Sequence, residues 1–301
     1  MSLGALIAAM MMVWRVLAPI QIVSLSIARL RQTLATLSQI NDVVRVGTDR
    51  ERDAPPDLSR RLSGDIMAAG LYLSFSPQAE PQLRRVNLEV KAGEIVAITG
   101  PSGGGKSTLL KALFGLYPQY MGTVRLGGLD LRQLHPAEVR AAVGYASQQP
   151  ALFDDSVAAN FRYARLNATD ADILEVLAAV GLTLPHPALP RGLATRVTHS
   201  GAGSFSQDLL CRLSVARALI KKPAILLLDD PGGGLGRDGD AAFMAHLRAL
   251  RGKTTVLLVT ERPGHMRVAD RVIWMRSGMI IADSAATATP HILNQDMSKT
   301  A

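Results

Sequence analysis

The sequence predicts an α/β fold: a parallel-sheet core carrying an inserted helical subdomain, with a hydrophobic helix ahead of it. Three observations predict this. A β-branched run at residues 94–99 leads through a glycine-rich loop into helical spacing, five apolar residues at 224–228 end in the acids Asp229 and Asp230, and residues 3–28 are almost wholly apolar. With 301 residues, 48% of them hydrophobic and 19% charged, the chain has core enough for one large domain or two small ones, and it lacks the composition of a disordered chain. The single cysteine, Cys211, excludes a disulfide framework and a cysteine-based zinc site. Aromatics at 4% leave few stacking platforms, so no nucleic-acid partner is expected. The formal charge of +8 is read instead as a solvated or membrane-facing basic surface.

Residues 1–45 are expected to form a hydrophobic membrane helix and its extension. A helix over residues 3–28 exceeds the roughly 20 residues that cross a bilayer core. Arg15, Pro19, Gln21, Ser24 and Ser26 interrupt its apolar run, and Met10, Met11 and Met12 are membrane or packing surface. No basic region stands before it and no cleavage site follows, which excludes a signal peptide. Arg29, Arg31 and Arg45 come after it, so the positive-inside rule puts its C-terminal side in the cytoplasm. The alternative is a long amphipathic helix lying on its own domain or on a partner. One such segment cannot line a path for a polar substrate, which needs several helices around a cavity.

Residues 46–67 are charged, hold a Pro pair and lack apolar period, the signature of a linker. The globular unit is expected at 68–284 and a polar, fraying tail at 285–301. Inside the globular unit, helical patterns at 159–180 and 208–220 mark a helical subdomain at about 155–215. A helix at 238–251 and apolar runs at 254–260 and 271–275 complete the sheet and its cover. The run at 224–228 is continuous enough for a central parallel strand buried on both faces.

The loop between the first strand and helix reads Gly100, Pro101, Ser102, Gly103, Gly104, Gly105, Lys106, Ser107, followed by Thr108. This is GxxxxGK[ST] in its strand–loop–helix context. Glycines let backbone N–H groups converge on phosphate oxygens without a Cβ in the way, and the helix that follows offers its positive end. Lys106 has the reach for β- and γ-phosphates, and the Ser107 hydroxyl for Mg²⁺. Asp229, at the end of its strand, would hold the same Mg²⁺ through water. The pattern predicts a nucleoside triphosphate site.

Across residues 71–283 the sequence resembles the ATPases of ABC transporters, and the apolar N-terminal stretch resembles the last membrane helix of exporters similar to type I secretion ATPases. The ordered motifs carry this: the glycine loop, Tyr145-Ala-Ser-Gln148-Gln-Pro, Arg212-Leu-Ser-Val-Ala-Arg-Ala-Leu219, the acid-ended strand and Thr254-Thr-Val-Leu-Leu-Val-Thr260. The resemblance implies a RecA-like P-loop NTPase core with added antiparallel β strands, binding ATP with Mg. It implies that Phe75 stacks on adenine, and that Gln148 touches Mg²⁺ and the attacking water, with Gln149 as the alternative register. It further implies head-to-tail dimerisation with a second nucleotide-binding domain, identical or not. Membrane-spanning transporter helices would be the other partner, and the location the cytoplasmic face of the inner or plasma membrane.

Several positions depart from the family. The catalytic glutamate after the strand's aspartate is Asp230, whose carboxylate is drawn back by about 1 Å, a misplacement that can cost about 10²-fold in rate. The switch histidine is Glu261. A carboxylate about 4 Å from a phosphate oxygen is repelled by roughly 4 kcal/mol at an effective dielectric of 20. The alternative for Glu261 is a surface residue paired with the adjacent Arg262. The signature corresponds to residues 205–209, where Gln207 and Asp208 replace glycines and bring a negative charge to the partner's nucleotide. Residues 232–236 occupy the D-loop without its aspartate; Asp238 lies two residues late. His199 and His265 lack partners at ligand spacing, and Cys211 is read as inert packing. The expectation is an ATPase by resemblance, binding MgATP but turning over slowly; the alternative is a non-hydrolysing, nucleotide-gated regulatory or assembly subunit, or a truncated transporter fragment.

Overall fold

The structure, a computed structural model, describes residues 3–45, 55–57, 59–76, 78–198, 205–231 and 235–286. It divides into two units, Met1–Ala54 and Pro55–Ala301.

The first unit is one helix, α1 (Leu3–Arg45). At 1.5 Å per residue it runs for about 65 Å, roughly twice the thickness of a bilayer hydrocarbon core. Residues 3–41 form, among the described residues, the segment long and apolar enough to cross a membrane. Its hydroxyls turn back onto the helix's own carbonyls: Ser26 donates to Ile22 O at 2.7 Å and Thr33 to Arg29 O at 3.0 Å. That satisfies polar side chains without help from water. Pro19 lies inside α1 without ending it.

The second unit is layered on a six-stranded sheet. Its strands, in chain order, are β3 (Ile95–Thr99), β6 (Val143–Ala146), β7 (Ile225–Asp229), β8 (Thr255–Val259), β9 (Arg271–Arg276) and β10 (Met279–Ala285). They lie in the order β10-β9-β3-β8-β7-β6. All neighbours pair parallel except β10, which returns antiparallel along β9. Every residue of β3, β7 and β8 is buried, as a parallel sheet covered on both faces requires.

The alternation of side chains along these strands splits the core in two. Ile95, Ala97, Leu226, Leu228, Val256 and Leu258 face one cluster, which is completed by α4 (Val157–Ala164), α5 (Asp170–Ala179), α6 (Gln207–Leu219) and α7 (Gly236–Leu250). Val96, Ile98, Ile225, Leu227, Leu257 and Val259 face the other, which holds α2 (Lys106–Leu113) and a second sheet. That second sheet is antiparallel, in the order β2-β1-β4-β5, from β1 (Ile66–Leu73), β2 (Leu83–Val90), β4 (Met121–Leu126) and β5 (Leu129–Asp130).

Two sequence expectations change. The ordered unit begins well inside the stretch 46–67 read as linker. Leu62 is buried, Ile66 opens β1, and the Asp57 amide and Arg60 guanidinium bind the Glu138 carboxylate at 2.8 and 3.3 Å. The reason is long-range: Glu138 lies in α3 (Pro136–Ala142), far along the chain. The single helical pattern at 159–180 is two helices, α4 and α5, because Thr169 and Asp172 form a reciprocal capping box that starts a new helix.

Candidate functional site

The glycine loop leaves β3 and turns into α2, and its backbone can be followed only by glycine at the decisive points. Gly100 has φ +136°, and a Cβ there would lie 1.9 Å from the Met275 carbonyl oxygen on β9. Gly105, at φ +93°, precedes α2 without any side-chain cap. The first amides of α2 therefore point outward with no partner from the helix itself, a ready anion site.

Gly105 lines one cleft of about 170 Å³ together with Ser102, Gly103, Gly104, Lys106, Ser107, Thr108, Gln148, Asp229, Asp230 and Glu261, while Gly100 and Pro101 stand behind it. Lys106 is nearly buried, and its Nζ donates to the carbonyls of Gly100 and Pro101, the latter at 2.9 Å, and to Glu261 Oε1 at 3.5 Å. Ser107 Oγ donates to Asp229 Oδ1 at 2.8 Å. Burial pushes the Asp229 carboxyl above the ordinary carboxylate range, against the Ser107 hydrogen bond and the Lys111 charge, which act the other way.

Gln148, not Gln149, lines the cleft; the Gln149 carbonyl accepts instead from Ser147 Oγ at 2.7 Å. Asp230 sits at φ +48°, its amide donating to Val259 O at 3.0 Å. Phe75 is 59% exposed with its ring edge-on to Tyr117 at 5.1 Å, and it is not among the residues around the cleft. Gln82 and Thr260 do line it. Thr260 ends the run at 254–260, whereas Gln82, just ahead of β2, carries no sequence signal.

One expectation about side chains is corrected. Glu261 does not pair with Arg262: it reaches Lys106, while Arg262 turns to Asp240 at 3.8 Å. His265 is held by hydrogen bonds. It is buried, with Nε2 2.6 Å from Asp240 Oδ1 and Nδ1 3.2 Å from Thr260 Oγ1, pinning the segment that carries Glu261 to α7. Asp208 is bound by Arg212, one helical turn on, at 3.0 Å, and Arg212 also donates to Gly181 O at 3.2 Å. A Cβ on Gly236 would come within 2.8 Å of the Arg212 guanidinium and 3.0 Å of Asp208 Oδ1. Ser206 caps α6 through the Leu209 amide. Cys211 is buried, and its thiol is pushed up by that burial first and by the Asp208 charge second. The expectations for His199 and for the D-loop glycines 232–234 lie outside the described residues.

A phosphate cradle between a parallel strand and a helix, with the next strand but one in the sheet delivering an acid to its hydroxyl, defines a P-loop nucleotide-binding fold. The family model for the ABC transporter domain matches residues 83–233. The chain belongs to the ABC transporter family. It is 28% identical over 90% of its length to a probable multidrug resistance ABC transporter ATP-binding/permease protein, YheI, of Bacillus subtilis, covering 45% of that protein. It is 33% identical over 73% of its length to an ATP-dependent lipid A-core flippase of Ralstonia nicotianae, covering 38% of it. Among solved structures, a bacterial Atm1-family ABC exporter with ATP bound superposes with a TM-score of 0.76 at 25% identity, over 88% of this chain and 46% of that one. The chain thus spans less than half the length of these relatives.

Proposed function

We propose that this chain is the ATP-binding part of an ABC exporter, which binds MgATP in the Lys106 cleft and pairs head to tail with a second nucleotide-binding domain. The observation that carries the reading is the joint geometry of Lys106 at the cleft floor and Ser107 bonded to Asp229 at 2.8 Å. The donor set fits the ligand. Outward amides and one ammonium suit phosphate oxygens, and a hydroxyl with a carboxylate suits Mg²⁺, which takes few protein oxygens and keeps its waters. Ser107, Asp229 and Gln148 would hold the ion, and Phe75 would reach the base. When bound, MgATP supplies a transferable phosphoryl group whose charge the metal partly neutralises.

The chain's own residues decide how that group fares. Asp230 orients the attacking water from a carboxylate one methylene shorter than glutamate, and Glu261 offers a negative charge where the family resemblance expects a donor. Slow turnover follows, and an active partner cannot replace either group. α1 docks in the bilayer beside other transporter helices, with Arg29 and Arg31 on the cytoplasmic side. Calorimetry with Mg²⁺ tests the reading: ATP binds the wild type, and Lys106→Ala abolishes the heat. No heat with the wild type, or turnover of tens per second, defeats it. The Glu261–Lys106 contact also favours a second reading, a nucleotide-gated subunit that does not hydrolyse, distinguished by nucleotide-dependent dimer mass without phosphate release.

A further inference from the structure

The charge balance of the cleft weighs against a third phosphate. Its lining holds one ammonium, Lys106, and three carboxylates, of which Asp229 would face the Mg²⁺ of the nucleotide, leaving Asp230 and Glu261 against Lys106. An ammonium has three donors, and Lys106 has an acceptor for each: the Gly100 carbonyl, the Pro101 carbonyl and Glu261 Oε1. Two of these acceptors belong to the loop that forms the cradle. The third is a side chain brought in from the segment after β8, 70% exposed on the open side of the cleft. It is delivered there by a fastened backbone, since Thr260 accepts from the Arg262 amide at 3.1 Å and meets His265, which is bound to Asp240. The nearest base in sequence, Arg262, is engaged with Asp240, and among the described residues Lys106 is the ion-pair partner of Glu261.

We infer that Glu261 stands in for the terminal phosphate on Lys106, so that the site holds a nucleoside diphosphate at least as tightly as the triphosphate. This rests on the nucleotide reading of the cleft given above. A carboxylate offers the same ammonium what a γ-phosphate offers, a negative charge with acceptor oxygens. A diphosphate leaves the Glu261–Lys106 pair intact. A triphosphate breaks it and sets its last charge beside the displaced carboxylate. Glu261 is thereby a specificity-determining residue that reads the number of phosphates.

The test is titration calorimetry on the full chain in detergent, with excess Mg²⁺, using ADP, ATP and a non-hydrolysable β,γ-imido analogue, for the wild type and Glu261→Gln. Because the side chain is largely exposed, the substitution leaves folding intact, which a melting curve verifies. The wild type binds ATP no more tightly than ADP, and Glu261→Gln shifts the ratio toward ATP and the analogue by about tenfold, equivalent to about 1.4 kcal/mol. Wild-type binding tenfold tighter for ATP than ADP, or equal ratios in the two proteins, overturns the inference while leaving nucleotide binding intact. Absence of heat with every nucleotide in both proteins removes the nucleotide reading itself, and this inference with it.

Discussion

Replacing Asp229 by asparagine stabilises the protein in the absence of ligand while destroying its Mg²⁺-dependent nucleotide binding. Asp229 is 3% exposed at the end of an apolar strand. Burial raises its pKa, the Asp230 charge raises it further, and the Ser107 hydroxyl, Lys111 and Lys106 only partly offset this. A carboxyl with a raised folded-state pKa binds its proton more tightly when folded, so its contribution to stability is present at low pH and is lost as pH rises through the folded value. At neutral pH the ionised Asp229 therefore opposes folding. Asparagine keeps the shape and an oxygen for Ser107 at 2.8 Å and removes the charge. Relief of such a functional compromise yields about 0.5–2 kcal/mol, and about 2–4 °C in Tm per kcal/mol for a unit of this size. Calorimetric melting with a chelator present checks it, at neutral pH and in acid. The advantage of Asp229→Asn shrinks on acidification, as the wild type takes up its proton. An Asp229→Asn protein that melts below the wild type at neutral pH, or a gap that widens in acid, refutes the reasoning.

Three further outcomes are expected. The pair Asp230→Glu with Glu261→His raises ATP turnover by about 10²-fold or more, the size of a 1 Å correction plus a restored donor, read by phosphate release; unchanged turnover moves the cause to Asp208 and the D-loop. His265→Ala costs about 1–3 kcal/mol in urea unfolding by stripping Asp240 and Thr260 of their buried partner, and it loosens the segment that carries Glu261. Gly100→Ala costs about 3 kcal/mol in the same assay, since its Cβ would collide with the Met275 carbonyl 1.9 Å away.

The elements with local signatures were legible in the sequence. The turn from β3 to α2 declares itself through glycines that φ values of +136° and +93° require, and β7 and β8 through unbroken apolar runs ending where the cleft begins. The acids at 229 and 230 follow from the end of that apolar run, whereas Gln148 rested on the family resemblance, which left Gln149 as the alternative register. What the sequence could not disclose depends on residues far apart. Glu261 reaches Lys106 across 155 positions and Asp57 reaches Glu138 across 81. Neither partnership leaves a pattern in either segment, and the adjacent Arg262 offered a simpler one. The break between α4 and α5 was written locally, in Thr169 and Asp172, but apolar spacing on both sides concealed it.

The left-handed backbone at Asp230, φ +48°, ties chemistry to conformation at that position. Among residues with a Cβ, aspartate and asparagine accept this region best, whereas others forfeit about 1–2 kcal/mol in it. The longer acid would therefore bear that cost at this corner, so that a gain in rate at residue 230 comes with a small loss of local stability.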